Sequence, residues 1–189
     1  MNALRISLIV GVAAVLAAAP VAQAQEASDT DSQSFAVTGN VPTLCSGGTL
    51  SEADGSFDLG TLVDTTTGFL RTDLSAPAQV MGGAFCSARS TITVSATRLA
   101  AVNYTATPPP GFSREIDYLA TAAGWTPTAA TFATSAQSNP GAVQSRDDAF
   151  TGAITVSVSG FATTGGNTLR PVADTEYSGL VTVTLSAAD

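Results

Sequence analysis

Val181, Val183 and Leu185 alternate with Thr182 and Thr184 near the end of the chain, which is the period of a strand with one dry face and one wet face. The same rhythm recurs in "STITVSA", where Ile92, Val94 and Ala96 fall in step, and in "AFTGAITVSVSGF", where Ile154, Val156 and Val158 do. Further strands are expected near Val80, over Phe57 to Val63, over Ile116 to Thr121 and in "AATFATS". A first strand is expected in "SFAVTGNV", where Phe35, Val37 and Val41 share a face. Turn chemistry separates these runs at Asp54-Gly55, at the prolines before Gly111 and at Asn139-Pro140-Gly141. About eight short strands with little helical pattern predict an all-β fold, a sandwich rather than an α/β domain. No internal repeat or linker divides it.

Only Ser186 to Asp189 follow the last alternating run in this sequence. The open side of such a strand presents unpaired N–H and C=O groups beside valines, and so invites another chain to bind. What covers that edge is the question the sequence raises about function.

The first residues bear on location. Arg5 precedes an apolar run from Ile6 to Ala19, then Pro20, then Ala22-Gln23-Ala24 as a small-x-small cleavage site. This is the pattern of a secretory signal over residues 1–24, and the run is short for a membrane span. Residues 25–34, "QEASDTDSQS", are polar and expected to be flexible. Residues 35–189 then form one exported domain with no later run of spanning length. The expected location is the periplasm, cell surface or fimbrium of a bacterium.

Composition narrows the partners. The formal charge is −8, and removal of Arg5 takes it to −8 − 1 = −9, so nucleic acid is not expected as a partner. The basic residues are all arginine, and histidine is absent. Without lysine, a Lys–Asn isopeptide crosslink is ruled out. Cys45 and Cys86, the two cysteines, are expected to form one structural disulfide in an oxidising compartment. They lack CxxC spacing, and the chain has no histidine to join them at a metal.

Catalysis finds little to build on. With neither His nor Lys, a serine nucleophile lacks its usual bases, and no GxSxG elbow is present. A carboxylate pair drawn from Glu52, Glu115, Glu176 and the aspartates is the remaining route, and the expectation is no catalytic residues and no enzyme. Glu52, Asp54 and Asp58 do not have the order of an EF-hand loop, nor do Asp147 and Asp148 beside Arg146. No metal site and no cofactor are expected. Trp125, the single tryptophan, has two readings: a stacking platform for a sugar, or, preferred, a residue packed over a loop at the sandwich edge.

The stretch "FAVTGNVPTLC", a second cysteine downstream, the strand "STITVSA" just after it and the ending "YSGLVTVTLS" together resemble the spore coat protein U domain and, more distantly, the pilins of chaperone-usher systems. The resemblance implies an immunoglobulin-like β-sandwich that lacks its final strand, with Cys45 and Cys86 stapling neighbouring strands. It implies a strand-acceptor face at Val181, Val183 and Leu185, filled by a strand from a periplasmic chaperone and then from a like subunit delivered through an usher. Tyr177 resembles the corner tyrosine of immunoglobulin-like domains, whose hydroxyl ties a connection to the backbone. The function implied is that of a structural or adhesive subunit of a surface fibre or coat.

Two features depart from that pattern. Residues 25–34 contain only Ala27 as an apolar residue, which makes a poor donor strand, and the last residues, Ser186 to Asp189, include no aromatic. A subunit that accepts a strand without donating one therefore stays open. So does a self-complete secreted or periplasmic binding domain, with a ligand such as carbohydrate, that closes its own edge with an inner segment.

Overall fold

The computed structural model describes residues 32–51 and 55–188. The expected signal, most of the polar segment 25–34, Glu52 and Asp54 lie outside them. The chain divides into two units, residues 1–39 and 40–189. In the first, the described residues 32–39 form no strand, and Phe35 and Val37 stand 87% and 97% exposed. The strand expected in "SFAVTGNV" is therefore corrected: its alternation is real, but it has no pairing partner, and Val41 too is 81% exposed.

The second unit holds the described strands. They are β1 (Cys45–Ser46), β2 (Thr49–Leu50), β3 (Gln79–Cys86), β4 (Ser90–Ala96), β5 (Leu99–Ala101), β6 (Phe112–Ser113) and β7 (Glu115–Ala123). There follow β8 (Ala130–Ala133), β9 (Val143–Arg146), β10 (Phe150–Thr163), β11 (Arg170–Pro171), β12 (Tyr177–Ser178) and β13 (Val181–Ala187). The Asn139-Pro140-Gly141 turn appears as a short 3₁₀ turn, Pro140–Ala142, held by paired hydrogen bonds between the Asn139 amide and the backbone of Ala133. The segment over Phe57 to Val63 is not a strand. It is a loop that turns Phe57 and Leu59 partly inward, with one isolated bridge from Val63 to Leu70.

One sheet runs in the order β1-β3-β10-β7-β5-β12, with β2 also on β3 and β8 also on β7, and a second is the three-stranded β13-β4-β9. Their inner faces meet as an all-β sandwich. The larger sheet contributes Ala84, Tyr118, Ala120, Ala122, Ile154, Val156 and Val158, and the smaller contributes Ile92 and Val94. β10 is central because it pairs β3 along its first half and β7 along its second. A register shift between Ser159 and Ala162 falls at Gly160, whose φ of 65° suits a bulge that only glycine adopts without strain.

Cys45 lies directly opposite Cys86 in the β1–β3 pair, with Cα atoms 4.1 Å apart, and the two are joined as a disulfide. The bond joins the two-residue strand β1 covalently to β3. The chain then turns back through Gly48, whose φ is 74° and where a Cβ would run into the Gly82 carbonyl.

Trp125 is fully buried, which removes it as an exposed sugar platform and places it deeper than a sandwich edge. Its indole N–H donates to the Ser90 hydroxyl at 3.2 Å, and its ring meets Phe150 edge-on at 5.2 Å. Arg146 caps this pair, donating to the Trp125 carbonyl at 2.8 Å while its guanidinium lies 3.6 Å over the Phe150 ring.

Replacing Cys45 and Cys86 together by serine is expected to lower the free energy of unfolding by about 4 kcal/mol in the chain-entropy account, measured by urea titration. In the same assay Trp125→Ala is expected to cost about 3–5 kcal/mol, as other large-to-small core changes do.

Candidate strand-acceptor edge

β13 pairs with β4 in unbroken antiparallel register from Val181 opposite Ala96 to Ala187 opposite Ser90. Because opposed residues share a face, Val183 sits over Val94 and Leu185 over Ile92, and the three apolar side chains of β13 pack against the core. They are nevertheless only half-buried, whereas Ile92 and Val94 on the neighbouring strand are fully covered. The difference comes from position: β4 has a strand on each side, and among the described residues β13 has one on β4's side only. Alternate N–H and C=O groups of β13 point away from β4 and meet no described strand.

Proteins blunt such edges with short strands, charges, proline or bulges. The other edge strands here follow that rule. β1, β2 and β12 are two residues long, and β8 and β9 are four. β13 runs for seven residues, VTVTLSA, with no charge, no proline and no bulge. It is the longest edge strand among the described residues and the one without protection.

The core opens beside the start of this strand. A groove of about 260 Å3 is walled by Phe57, Tyr118, Val158, Phe161, Leu180 and Val181. Tyr118 stacks on Phe161 with centroids 5.9 Å apart and donates its hydroxyl to the Leu180 carbonyl at 3.4 Å, so the aromatic wall is fixed to the chain that enters β13. At the other end, the Ala188 N–H donates to the Arg89 carbonyl, and β1 comes close to β13 near the disulfide. The β13 face is thus anchored at both ends and open along its side. The groove walls were not legible in the sequence, because Phe57, Tyr118 and Phe161 come from three distant segments.

The remaining candidate residues take structural positions. Tyr177 donates its hydroxyl to the Val172 carbonyl at 2.8 Å, and burial, reinforced by the charge of Asp174, pushes its pKa up to about 12. Asp174 is held down to about 2, first by the Asn103 side-chain amide and then by backbone N–H groups of Glu176, Tyr104 and Asn103. Glu115 pairs with Arg98 at 3.3 Å. Asp147 pairs with Arg89 at 2.6 Å rather than with its neighbour Arg146. Among the described residues no cluster of three or more metal-ligating side chains forms, and no helix is long and apolar enough to cross a membrane.

Asp117 is the one buried carboxylate among the described residues. Burial alone would raise its pKa, but hydrogen bonds from Thr164, Arg98 and Thr134 outweigh that and hold it below the ordinary value of 3.8. These contacts tie β7 to the ends of β8 and β10, directly behind Tyr118.

Comparison of the chain with protein-family models, with curated proteins and with solved structures finds no match in any of the three.

Asp117 and Asp174 both have lowered pKa values in the fold, so the stability they contribute is present above 3.8 and drains away as pH falls through their folded values, about 2 for Asp174. Thermal unfolding followed from pH 7 down to about 2 should show the midpoint dropping steeply below about pH 4. Asp117→Asn should flatten part of that drop and destabilise the protein at neutral pH by about 2 kcal/mol.

Proposed function

We propose that this protein is an exported structural or adhesive subunit of a bacterial surface fibre or coat, and that it works by accepting a β-strand along β13. The observation that carries the reading is the seven-residue, uncharged, unbulged edge at Val181–Ala187, whose apolar face is only half covered. A strand laid beside it satisfies the outward-facing backbone groups, each worth about 1 kcal/mol net, and completes the burial of Val181, Val183 and Leu185. The same strand closes the groove bordered by Tyr118 and Phe161. No chemical step is needed. Recognition is by main-chain pairing with side-chain pockets on alternate positions. The resemblance to spore coat U domains and chaperone-usher pilins supports a chaperone, an usher and like subunits as the partners.

A second reading, a self-complete binding domain, rests on a different feature. A surface cavity of about 730 Å3 is walled in part by Phe57, Phe112 and Tyr177 and carries the carboxylates of Asp58 and Glu176. Aromatic faces beside carboxylates suit a carbohydrate.

Amide hydrogen exchange separates the two. Under strand acceptance, the outward amides of β13 exchange quickly in the isolated protein and become protected when a peptide with alternating apolar residues is added. Under the second reading, β13 is already protected in a monomer on size exclusion, and soluble glycans rather than peptides slow exchange around Tyr177.

A further inference from the structure

The open side of β13 is complementary to itself. The Thr97 N–H donates to the Leu180 carbonyl and the Ala188 N–H to the Arg89 carbonyl, and both pairings continue the β13–β4 register just beyond the ends of the strand. Bonding alternates along an antiparallel pair, so Thr182, Thr184 and Ser186 turn their backbone groups toward β4, whereas Val181, Val183, Leu185 and Ala187 turn theirs outward. The side chains divide in the same way. Those of Val181, Val183 and Leu185 pack against the core, and those of Thr182, Thr184 and Ser186 are exposed on the outer face.

From this we infer that β13 pairs antiparallel with β13 of a second copy of this chain, about a two-fold axis through Thr184. The inference rests on the strand-acceptor reading and names what occupies the edge when no other strand is supplied. With the axis at Thr184, Val183 lies opposite Leu185 of the second copy and Val181 lies opposite its Ala187. Every outward N–H and C=O from Val181 to Ala187 then meets a partner, in both copies. The same register keeps the faces matched. Apolar side chains meet on the inner side, while on the outer side Thr182 meets Ser186 and Thr184 meets its own copy, hydroxyl pairs at the closer of the two antiparallel spacings. Charge agrees as well: a two-fold axis sets like charges near one another across a self-paired edge, and VTVTLSA carries none. The two three-stranded sheets join into one, bounded at each end by β9, which is only four residues long. Such an isologous contact closes at two copies, so it covers the long edge without starting a fibre. A donated strand and the second copy compete for the same backbone groups, which makes the dimer the resting form of the acceptor.

The test begins with sedimentation equilibrium of the purified protein, which is expected to show a reversible monomer–dimer equilibrium. Hydrogen exchange on either side of its midpoint should find the amides of Val181, Val183, Leu185 and Ala187 protected in the dimer alone, and those of Thr182, Thr184 and Ser186 protected in both states. Thr184→Lys sets two ammonium groups face to face on the axis and is expected to weaken dimerisation by about tenfold or more, with the monomer's thermal midpoint unchanged. Under mild oxidation by oxidised glutathione, Thr184→Cys is expected to give a disulfide between copies, and Thr182→Cys, which lies opposite Ser186, is not. A protein that stays monomeric, a Thr184→Lys variant that dimerises like the native protein, or crosslinking as ready at position 182 as at 184 would each overturn the two-fold pairing. If the protein stays monomeric while a peptide with alternating apolar residues protects the outward amides, the acceptor stands and the dimer fails. If neither a second copy nor a peptide protects them, both fail together.

Discussion

A β-strand carries backbone donors and acceptors on both sides, and in β13 only the side toward β4 has its partners among the described residues. The rest of the molecule is arranged around that imbalance. The core of the sandwich extends under β13, so its valines and leucine contribute to the fold, yet the face they share with Tyr118 and Phe161 is left half covered. Water can satisfy the outward amides, but it cannot do so while the apolar side chains beside them become dry. On the proposed reading, a strand from another chain does both at once.

How much of this was legible in the sequence depends on what periodicity can report. Alternation marks residues that need a dry face, and in β4, β10 and β13 it placed Ile92, Val94, Ile154, Val156, Val158, Val181, Val183 and Leu185 correctly on the inward side. It does not say whose core supplies that face. In "SFAVTGNV" the same signal is present with no core of its own beneath it, so a strand expected inside the sandwich proved to lie outside the paired sheets. Around Phe57 and Leu59 the alternation also holds, but the Asp58 carboxylate accepts from the Gly60 N–H and Gly60 takes a φ of 62°, a local turn that wins over extension. Strands as short as β5, β11 and β12 have no period to read at all. Trp125 was legible as a packing residue but not as a core one, because its burial depends on Ser90 and Phe150, which the fold brings from far along the chain.

Charge plays a local part. The few arginines are mostly engaged in holding loops, to a strand in Arg98 to Glu115 and Asp117, Arg146 to the Trp125 carbonyl and Arg170 over Phe69, and to another loop in Arg89 to Asp147. The exposed pairs among them contribute little individually. Asp117 is different because it is buried and bonded on three sides. It immobilises the strand whose next residue, Tyr118, forms the aromatic wall of the groove, so electrostatics behind the sheet keep the apolar surface in front of it in place.

The disulfide and the open edge belong to one design. β1 is two residues long and is joined to β3 by a covalent bond. Had the chain continued pairing N-terminal to Cys45, residues 35–41 would have been consumed as an ordinary strand of their own sheet. Fixing the chain at Cys45 instead lets the sandwich stop there. The apolar segment ahead of it is then left unpaired, while β1 holds one end of the β13 face in place.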